Sequence, residues 1–379
     1  MKFKIKKKYL LRGIQAVSNA ISPRPVIPIL SGMKIDVMQS KIILTGSSSD
    51  ITIQSHIQSN INGEEIISEI SSGSIVLPVP HFPEIIKKLP KEFVEIKIEE
   101  NFKTIIKSGE AVFTLFGQSS DEYPQIEINK NEEQQLFIKG NDLKTLIRQT
   151  VFAVSPMESR PILTGVNVTV ENSLLTFTAT DSHRLALRSV TLDSEDIEMD
   201  NIVIPGESLQ ELNKIIDGNE EIIQISVMNN QVLFYTDNIY FLSRLLSGNY
   251  PDTSRLIPND SKTSLHISTK DLINTIERAA LLSSRDQNNV IRLDTVDNNS
   301  IEISSYSPEI GNVQEKLEVI SIQGEELKIS FSSKYMLETL KSIESESVQI
   351  DFTGPMRPFI IKTPEDENIL QLILPVRTF

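Results

Sequence analysis

The sequence predicts an α+β chain of three similar domains, each with two helices packed on antiparallel sheets. Three observations carry this: one strand-then-helix unit recurs three times, a second such unit recurs beside it, and turns and alternating strands fill the intervals. The first unit reads Phe3-Lys4-Ile5 followed by Leu10 and Ile14, then Phe137-Ile138 followed by Leu143 and Ile147, then Leu265-His266-Ile267 followed by Leu272 and Ile276. Alternation of apolar residues marks a half-buried strand, and the i, i+4 spacing after it marks an amphipathic helix. The matching leucines stand 133 and 129 residues apart, a period long enough for a whole domain.

The second unit is equally regular. Ile75-Val76-Leu77-Pro78 leads to Phe82 and Leu89, Ile202-Val203-Ile204-Pro205 to Leu209 and Ile216, and Ile329-Ser330-Phe331-Ser332 to Met336 and Ile343. Each third then closes in a hairpin-rich stretch, such as Val94–Ile98 with Val112–Phe116, and Tyr123-Pro124 and Tyr250-Pro251 end the first two thirds. The domains expected are therefore 1–127, 128–258 and 259–379. Similar units in a row suggest rotation about an axis, and head-to-tail contacts between them close into rings or run on as filaments.

The composition is that of a globular protein, with 39% hydrophobic residues, no cysteine and a net charge of −14. Disulfides and thiolate metal sites are excluded, and a cytoplasmic setting is expected. The N-terminus is basic but lacks a signal peptide's apolar run, and no segment approaches the ~20 apolar residues of a membrane span. The acidity argues against nucleic acid at first sight, since phosphates attract cations. The charge is uneven, however: residues 1–24 hold Lys2, Lys4, Lys6, Lys7, Lys8, Arg12 and Arg24 and no acid, while Glu64-Glu65, Glu132-Glu133 and Glu220-Glu221 concentrate negative charge elsewhere. A ring would let an inner face be basic on an acidic protein.

No catalytic pattern is visible. The four histidines, His56, His81, His183 and His266, lack metal-ligand spacing, and no Walker loop, GxGxxG or GxSxG occurs. Asp181-Ser182-His183 lie adjacent in sequence, but nucleophile and base normally meet through the fold. No enzyme and no cofactor is expected.

The run Thr180-Asp181-Ser182-His183-Arg184-Leu185-Ala186 resembles the T-D-G/S-H-R-L-A signature of the bacterial sliding clamps, the beta subunits of DNA polymerase III. Arg24-Pro25-Val26-Ile27-Pro28-Ile29-Leu30, Tyr250-Pro251-Asp252 with Arg255-Leu256-Ile257-Pro258, and Leu374-Pro375-Val376-Arg377 resemble three further motifs of that family, and the likeness runs the length of the chain. The resemblance implies a head-to-tail homodimer of six DNA-clamp domains, with helices lining a hole through which duplex DNA passes. It implies partners: the DNA polymerase III catalytic subunit, an ATP-dependent clamp loader, and other polymerases and repair proteins carrying a motif roughly Q-x-x-L-F.

By the same resemblance, the partner pocket would use Leu163, Thr180, His183, Arg184, Leu185, Pro251, Arg255, Leu256, Met356, Pro358, Leu372, Leu374, Pro375, Val376 and Arg377. Arg24 matches a DNA-contacting arginine of the family; Lys7, Lys8, Arg12 and Arg148 are candidates by their placement near helices. Two places where some members carry basic pairs read Pro80-His81 and Gly206-Glu207 here, which implies weak intrinsic DNA affinity. Phe113 and Leu115 would meet Leu281 and Leu282 across the dimer seam. The competing reading is a β-rich repeat scaffold or adhesion array, which explains the repeats and the acidity but not the motifs.

Overall fold

A computed structural model describes residues 1–125, 128, 135–193, 197–218, 221–228, 230–258, 260–283 and 289–377. Glu132, Glu133 and Glu220 lie outside that set, and the expected domain boundaries adjoin residues that also lie outside it.

Six α-helices occur among the described residues: α1 (Lys7–Ser18), α2 (Phe82–Lys88), α3 (Gly140–Arg148), α4 (Gly206–Ile215), α5 (Thr269–Ser283) and α6 (Ser333–Ser342). Each follows directly or closely on a strand, so the doubled strand-then-helix unit of each third is real. Spacing decides which face is buried. In α1 the buried residues are Leu10, Gly13, Ile14 and Val17, one stripe at three- and four-residue intervals. In α5 they are Thr269, Leu272, Thr275, Ile276, Ala279 and Ser283. End chemistry sets the helix limits. α2 opens with Pro83 and Glu84 and finishes with Lys87 and Lys88, charges that suit the helix dipole at both ends. The Ser332 side chain caps α6 by accepting from the Tyr335 N–H.

The chain forms two compact units, Met1–Asn141 with Gln210–Leu245, and Asp142–Leu209 with Leu246–Phe379. The first unit holds a five-stranded sheet, ordered from the edge strand Ala111–Phe116 through Lys103–Ser108, Phe93–Ile98 and Lys2–Lys6 to Ile67–Ser71. It also holds an eight-stranded sheet in which Ile239–Arg244 lies antiparallel beside Ile51–Gln58, pairing Ile51 with Ser243 and Ile53 with Phe241. The second unit holds a nine-stranded sheet, in which Arg184–Thr191 pairs with Asp366–Ile373, and a four-stranded sheet with Gly311–Glu318 at its edge. Both large sheets therefore join strands from successive thirds of the sequence.

One expectation needs correction. Val94–Ile98 and Val112–Phe116 do not pair with each other: Lys103–Ser108 lies between them and pairs with both neighbours. Its Thr104, Ile106 and Ser108 are buried and its Lys103 and Lys107 exposed, an alternation broken by half-buried Ile105 that the sequence reading passed over.

A large core closes the C-terminal third, where Phe331, Phe352 and Phe359 are almost wholly buried and tilt against one another at 5.1 and 5.4 Å. Such tilted ring pairs add to the stability that burial alone supplies. This core sits beneath the strand Asp366–Ile373, and so holds rigid one wall of the site below.

Candidate partner-binding site

The Thr180–Ala186 run makes a tight turn between two paired strands, Leu174–Thr180 and Arg184–Thr191. The turn is held by its own side chains. Asp181 Oδ1 accepts the backbone N–H of His183 at 2.9 Å and of Arg184 at 3.0 Å. Thr180 Oγ1 donates to the Arg184 carbonyl at 2.6 Å and accepts from the Ser182 N–H at 3.2 Å. Ser182 takes a φ of 76°, the left-handed conformation that closes the turn.

Arg184 is the centre of this arrangement, and it is buried, 7% exposed. Its Nε donates to Asp181 Oδ2 at 3.0 Å, one Nη to Glu338 and the other to the Phe152 carbonyl at 2.6 Å. Its guanidinium also lies over the rings of Tyr335 and Phe152, at 4.5 and 5.2 Å from their centroids. A buried cation is tolerable only when so fully paired. Arg184 thus fixes the turn rather than facing a ligand.

The turn in turn seats the C-terminal segment. The Leu374 N–H donates to the His183 carbonyl at 2.9 Å, just beyond the paired strands, and the Val376 N–H donates to the Ser330 carbonyl at 2.8 Å. From the other side, Tyr250 Oη accepts the Thr180 N–H at 3.0 Å, and the Tyr250 N–H donates to Asn201 Oδ1 at 2.8 Å. Burial pushes the Tyr250 phenol well above its ordinary pKa despite that bond from Thr180. Asp252 accepts from the hydroxyl and the N–H of Ser254, which hold its carboxyl below the usual range.

All fifteen expected pocket residues fall in the second unit. Strand pairing and these hydrogen bonds bring together Thr180, His183, Arg184, Leu185, Leu372, Leu374 and Val376. Pro358 joins them through Phe359, which pairs with Ile373. Leu163, Thr180, Leu185 and Leu372 are buried and serve as walls. His183, Pro251, Arg255, Leu256, Met356 and Arg377 are exposed; Leu374, Pro375, Val376 and Pro358 are half-buried. Leu256 and Met356, 49% and 53% exposed, offer apolar surface to a partner. Phe152, Tyr335 and Glu338 were missed. No signal in the sequence ties Glu338 to Arg184, since the two meet only through the tertiary fold.

The basic candidates separate in the structure. Arg24 is exposed in the loop after α1, and its guanidinium makes no ion pair among the described residues. Lys8 is exposed over the Tyr9 ring at 4.8 Å. The other three are engaged within the chain. Lys7 donates to the Leu89 carbonyl at 2.7 Å, Arg12 pairs with Asp217, and Arg148 pairs with Glu344. Exposed pairs of this kind contribute only about 0–1 kcal/mol, so phosphates could replace the acids. His81 and Glu207 sit at the N-terminal ends of α2 and α4.

The seam candidates are surface residues. Phe113 (39% exposed) lies with Val112 (57%) and Phe116 (72%) on the edge strand of the five-stranded sheet, and Leu115 is half-buried there. Leu281 is 73% exposed and Leu282 half-buried near the end of α5. α5 is tied to the edge strand Gly311–Glu318 by Arg278, whose Nε donates to Glu315 at 2.8 Å. No cluster of potential metal ligands occurs among the described residues.

Comparison with known proteins agrees with this arrangement throughout the chain. Profiles of the DNA polymerase III beta subunit match in three parts: the N-terminal domain at residues 1–127, the central domain at 137–252 and the C-terminal domain at 254–377. The beta sliding clamp of Bacillus subtilis (strain 168) is 52% identical over 379 residues, covering 100% of both chains. The chain belongs to the beta sliding clamp family. The beta sliding clamp of a Staphylococcus epidermidis strain is 47% identical over 380 residues, again covering both chains fully. Among solved structures, the DNA polymerase sliding clamp from Bacillus subtilis superposes with a TM-score of 0.96 at 52% identity, and the DNA polymerase III beta chain from Streptococcus pneumoniae with 0.95 at 38%, each covering 100% of both chains. Membership makes the chain a non-catalytic processivity factor for DNA replication and removes the scaffold or adhesion reading.

Proposed function

We propose that two copies close head to tail into a six-domain ring around duplex DNA, and that the groove at Thr180–Arg184 and Leu374–Arg377 tethers the polymerase. The domains of this ring are 1–127, 128–258 and 259–379. The carrying observation is the pair of open apolar surfaces: the edge strand bearing Val112, Phe113 and Phe116, and the end of α5 bearing Leu281. An uncovered apolar edge strand invites pairing with another chain. Each surface occurs once per chain, and if each is covered by the other surface of a second copy, two such contacts close a dimer.

Holding is topological. The net charge of −14 and the paired state of Arg12 and Arg148 oppose tight direct binding, and Arg24 and Lys8 supply weak, sequence-independent contact with phosphates. A tethered polymerase that releases its substrate rebinds before it diffuses away, because tethering raises its effective concentration. Apolar Leu256, Met356 and Leu374 would receive the Leu and Phe anchors of a Q-x-x-L-F segment, presented by the polymerase catalytic subunit, by a clamp loader that uses ATP to open the ring, and by other polymerases and repair proteins. All of this takes place in the cytoplasm.

The test is retention on DNA. The protein loaded on a closed circle should stay through a gel-filtration column and be lost once the circle is cut; equal retention on linear DNA would defeat the proposal. Leu282→Asp should give monomers in sedimentation and no retention, whereas a variant lacking residues 374–379 should stay dimeric and bind no Q-x-x-L-F peptide in calorimetry.

A further inference from the structure

The first unit contains a counterpart of the candidate groove. The strands Ile51–Gln58 and Ile239–Arg244 pair as Arg184–Thr191 and Asp366–Ile373 do, and at the same place beyond the pairing the Arg244 N–H donates to the Asp50 carbonyl at 2.9 Å. That bond matches the Leu374–His183 bond residue for residue. Leu30, Ser47 and Pro124 occupy the places of Leu163, Thr180 and Pro251. A cavity of about 500 Å³ opens here, lined by Arg24, Val26, Leu242 and Arg244 among others. Its side chains have changed character. Arg244 stands where the other groove has Leu374, Asp50 stands for His183, and serines 47–49 fill the turn.

We propose that this cavity is a second docking groove, and that its occupant is an extended peptide segment bearing acidic residues beside a bulky apolar one. Charge complementarity selects the occupant. Neither the Arg24 nor the Arg244 guanidinium makes an ion pair among the described residues, on a protein whose overall charge is negative. One acid, Asp50, also lines the cavity, and it is already engaged by the Ser49 hydroxyl at 2.7 Å. Apolar contact is available beside the cations: Val26 is 93% exposed and Ile27 47%. Arginine forks bind carboxylates in a fixed geometry, which favours a peptide with glutamate or aspartate at the place facing Arg244. Arg24 faces the duplex in the proposed ring, which leaves Arg244 as the cation for the occupant; a DNA strand at Arg244 would leave Val26 and Ile27 uncovered, so the peptide is favoured. The reading relies on the candidate groove at Leu374 for the shape of its twin.

The test uses the full chain and two synthetic decapeptides, one carrying Leu-Phe preceded by two glutamates and one with glutamines in their place. Calorimetry should find two acidic peptides bound per chain and one glutamine peptide. Arg244→Glu and Val26→Asp, both at surface positions, should each remove one acidic-peptide event, weakening it by about tenfold or more as loss of a charged hydrogen bond requires, while Arg244→Lys retains it in part. A variant lacking residues 374–379 should lose the other event. Saturation at one acidic peptide per chain, or two events that survive Arg244→Glu, would overturn the proposal. So would displacement of the Arg244-dependent peptide by a single-stranded oligonucleotide at equal concentration, which would assign the cavity to nucleic acid. If truncation leaves both events intact while Arg244→Glu removes one, the groove at Leu374 fails and this one stands.

Discussion

The two strand junctions, Arg184–Thr191 with Asp366–Ile373 and Ile51–Gln58 with Ile239–Arg244, share a backbone and differ in where they put charge. At the first, a cation opens the strand and is buried among Asp181, Glu338, Phe152 and Tyr335. At the second, the same place is Ile51, 8% exposed, and the cations Arg24 and Arg244 stand on the surface. The backbone hydrogen bonds that join the strands ask nothing of the side chains. One repeat can therefore make a turn braced by a buried arginine and another a serine-filled turn with an open cationic rim.

The largest effect that would sharpen this contrast is at Arg184. Arg184→Ala leaves Asp181 buried without its partner and should lower stability by about 3–5 kcal/mol, read from the midpoint of urea unfolding. Ile51→Val, at the matching place, should cost only about 0.5–1.5 kcal/mol. Equal losses would mean that Arg184 is not the brace described. A smaller difference is expected at the tyrosines. Tyr250→Phe strands the Thr180 N–H and should cost about 1–2 kcal/mol. Tyr123, its counterpart, feels the Ser47 backbone amide, but its buried hydroxyl closes no full hydrogen bond among the described residues, so Tyr123→Phe should be near neutral in the same measurement.

The smallest expected effect depends on pH. Burial raises the pKa of Asp351, but hydrogen bonds from Gln349, Lys362 and Ser264 outweigh it and leave the carboxyl below its ordinary value. A depressed pKa contributes stability above the unfolded value near 4, and that contribution is lost as pH falls through the folded value. Asp351→Asn should therefore cost about 1 kcal/mol at neutral pH and nothing in strong acid. A deficit that persists unchanged across the acid range would show that packing, not charge, is the cause.

Much of this was legible in the sequence because the period is long and its anchors are apolar. Leu10, Leu143 and Leu272 are all fully buried on the helices they predicted, and the strand-to-helix order held in every third. Local pattern suffices there, since a helix face is decided by residues three and four apart. Pairing between distant strands leaves no such mark. The bonds of Ile51–Gln58 to Ile239–Arg244 are backbone bonds, identical for any side chain, and so the sheets that run on between successive thirds were invisible. Arg184 was singled out by its motif, but a motif does not tell a ligand-facing cation from a buried one. That required Glu338 and Tyr335, which α6 supplies from far along the chain. The partners of Arg12 and Arg148 were hidden for the same reason: Asp217 and Glu344 follow the other helices α4 and α6.

The bare edge strand Ala111–Phe116 has a cost outside replication. Its Val112, Phe113, Thr114 and Phe116 present a short, uncharged β-ribbon to the solvent. Such a ribbon will add to any unpaired strand it encounters, including its own copies stacked out of register. Newly made chains, or chains diluted below their assembly threshold, should therefore be prone to clump, and a lysine at Val112 would keep them soluble.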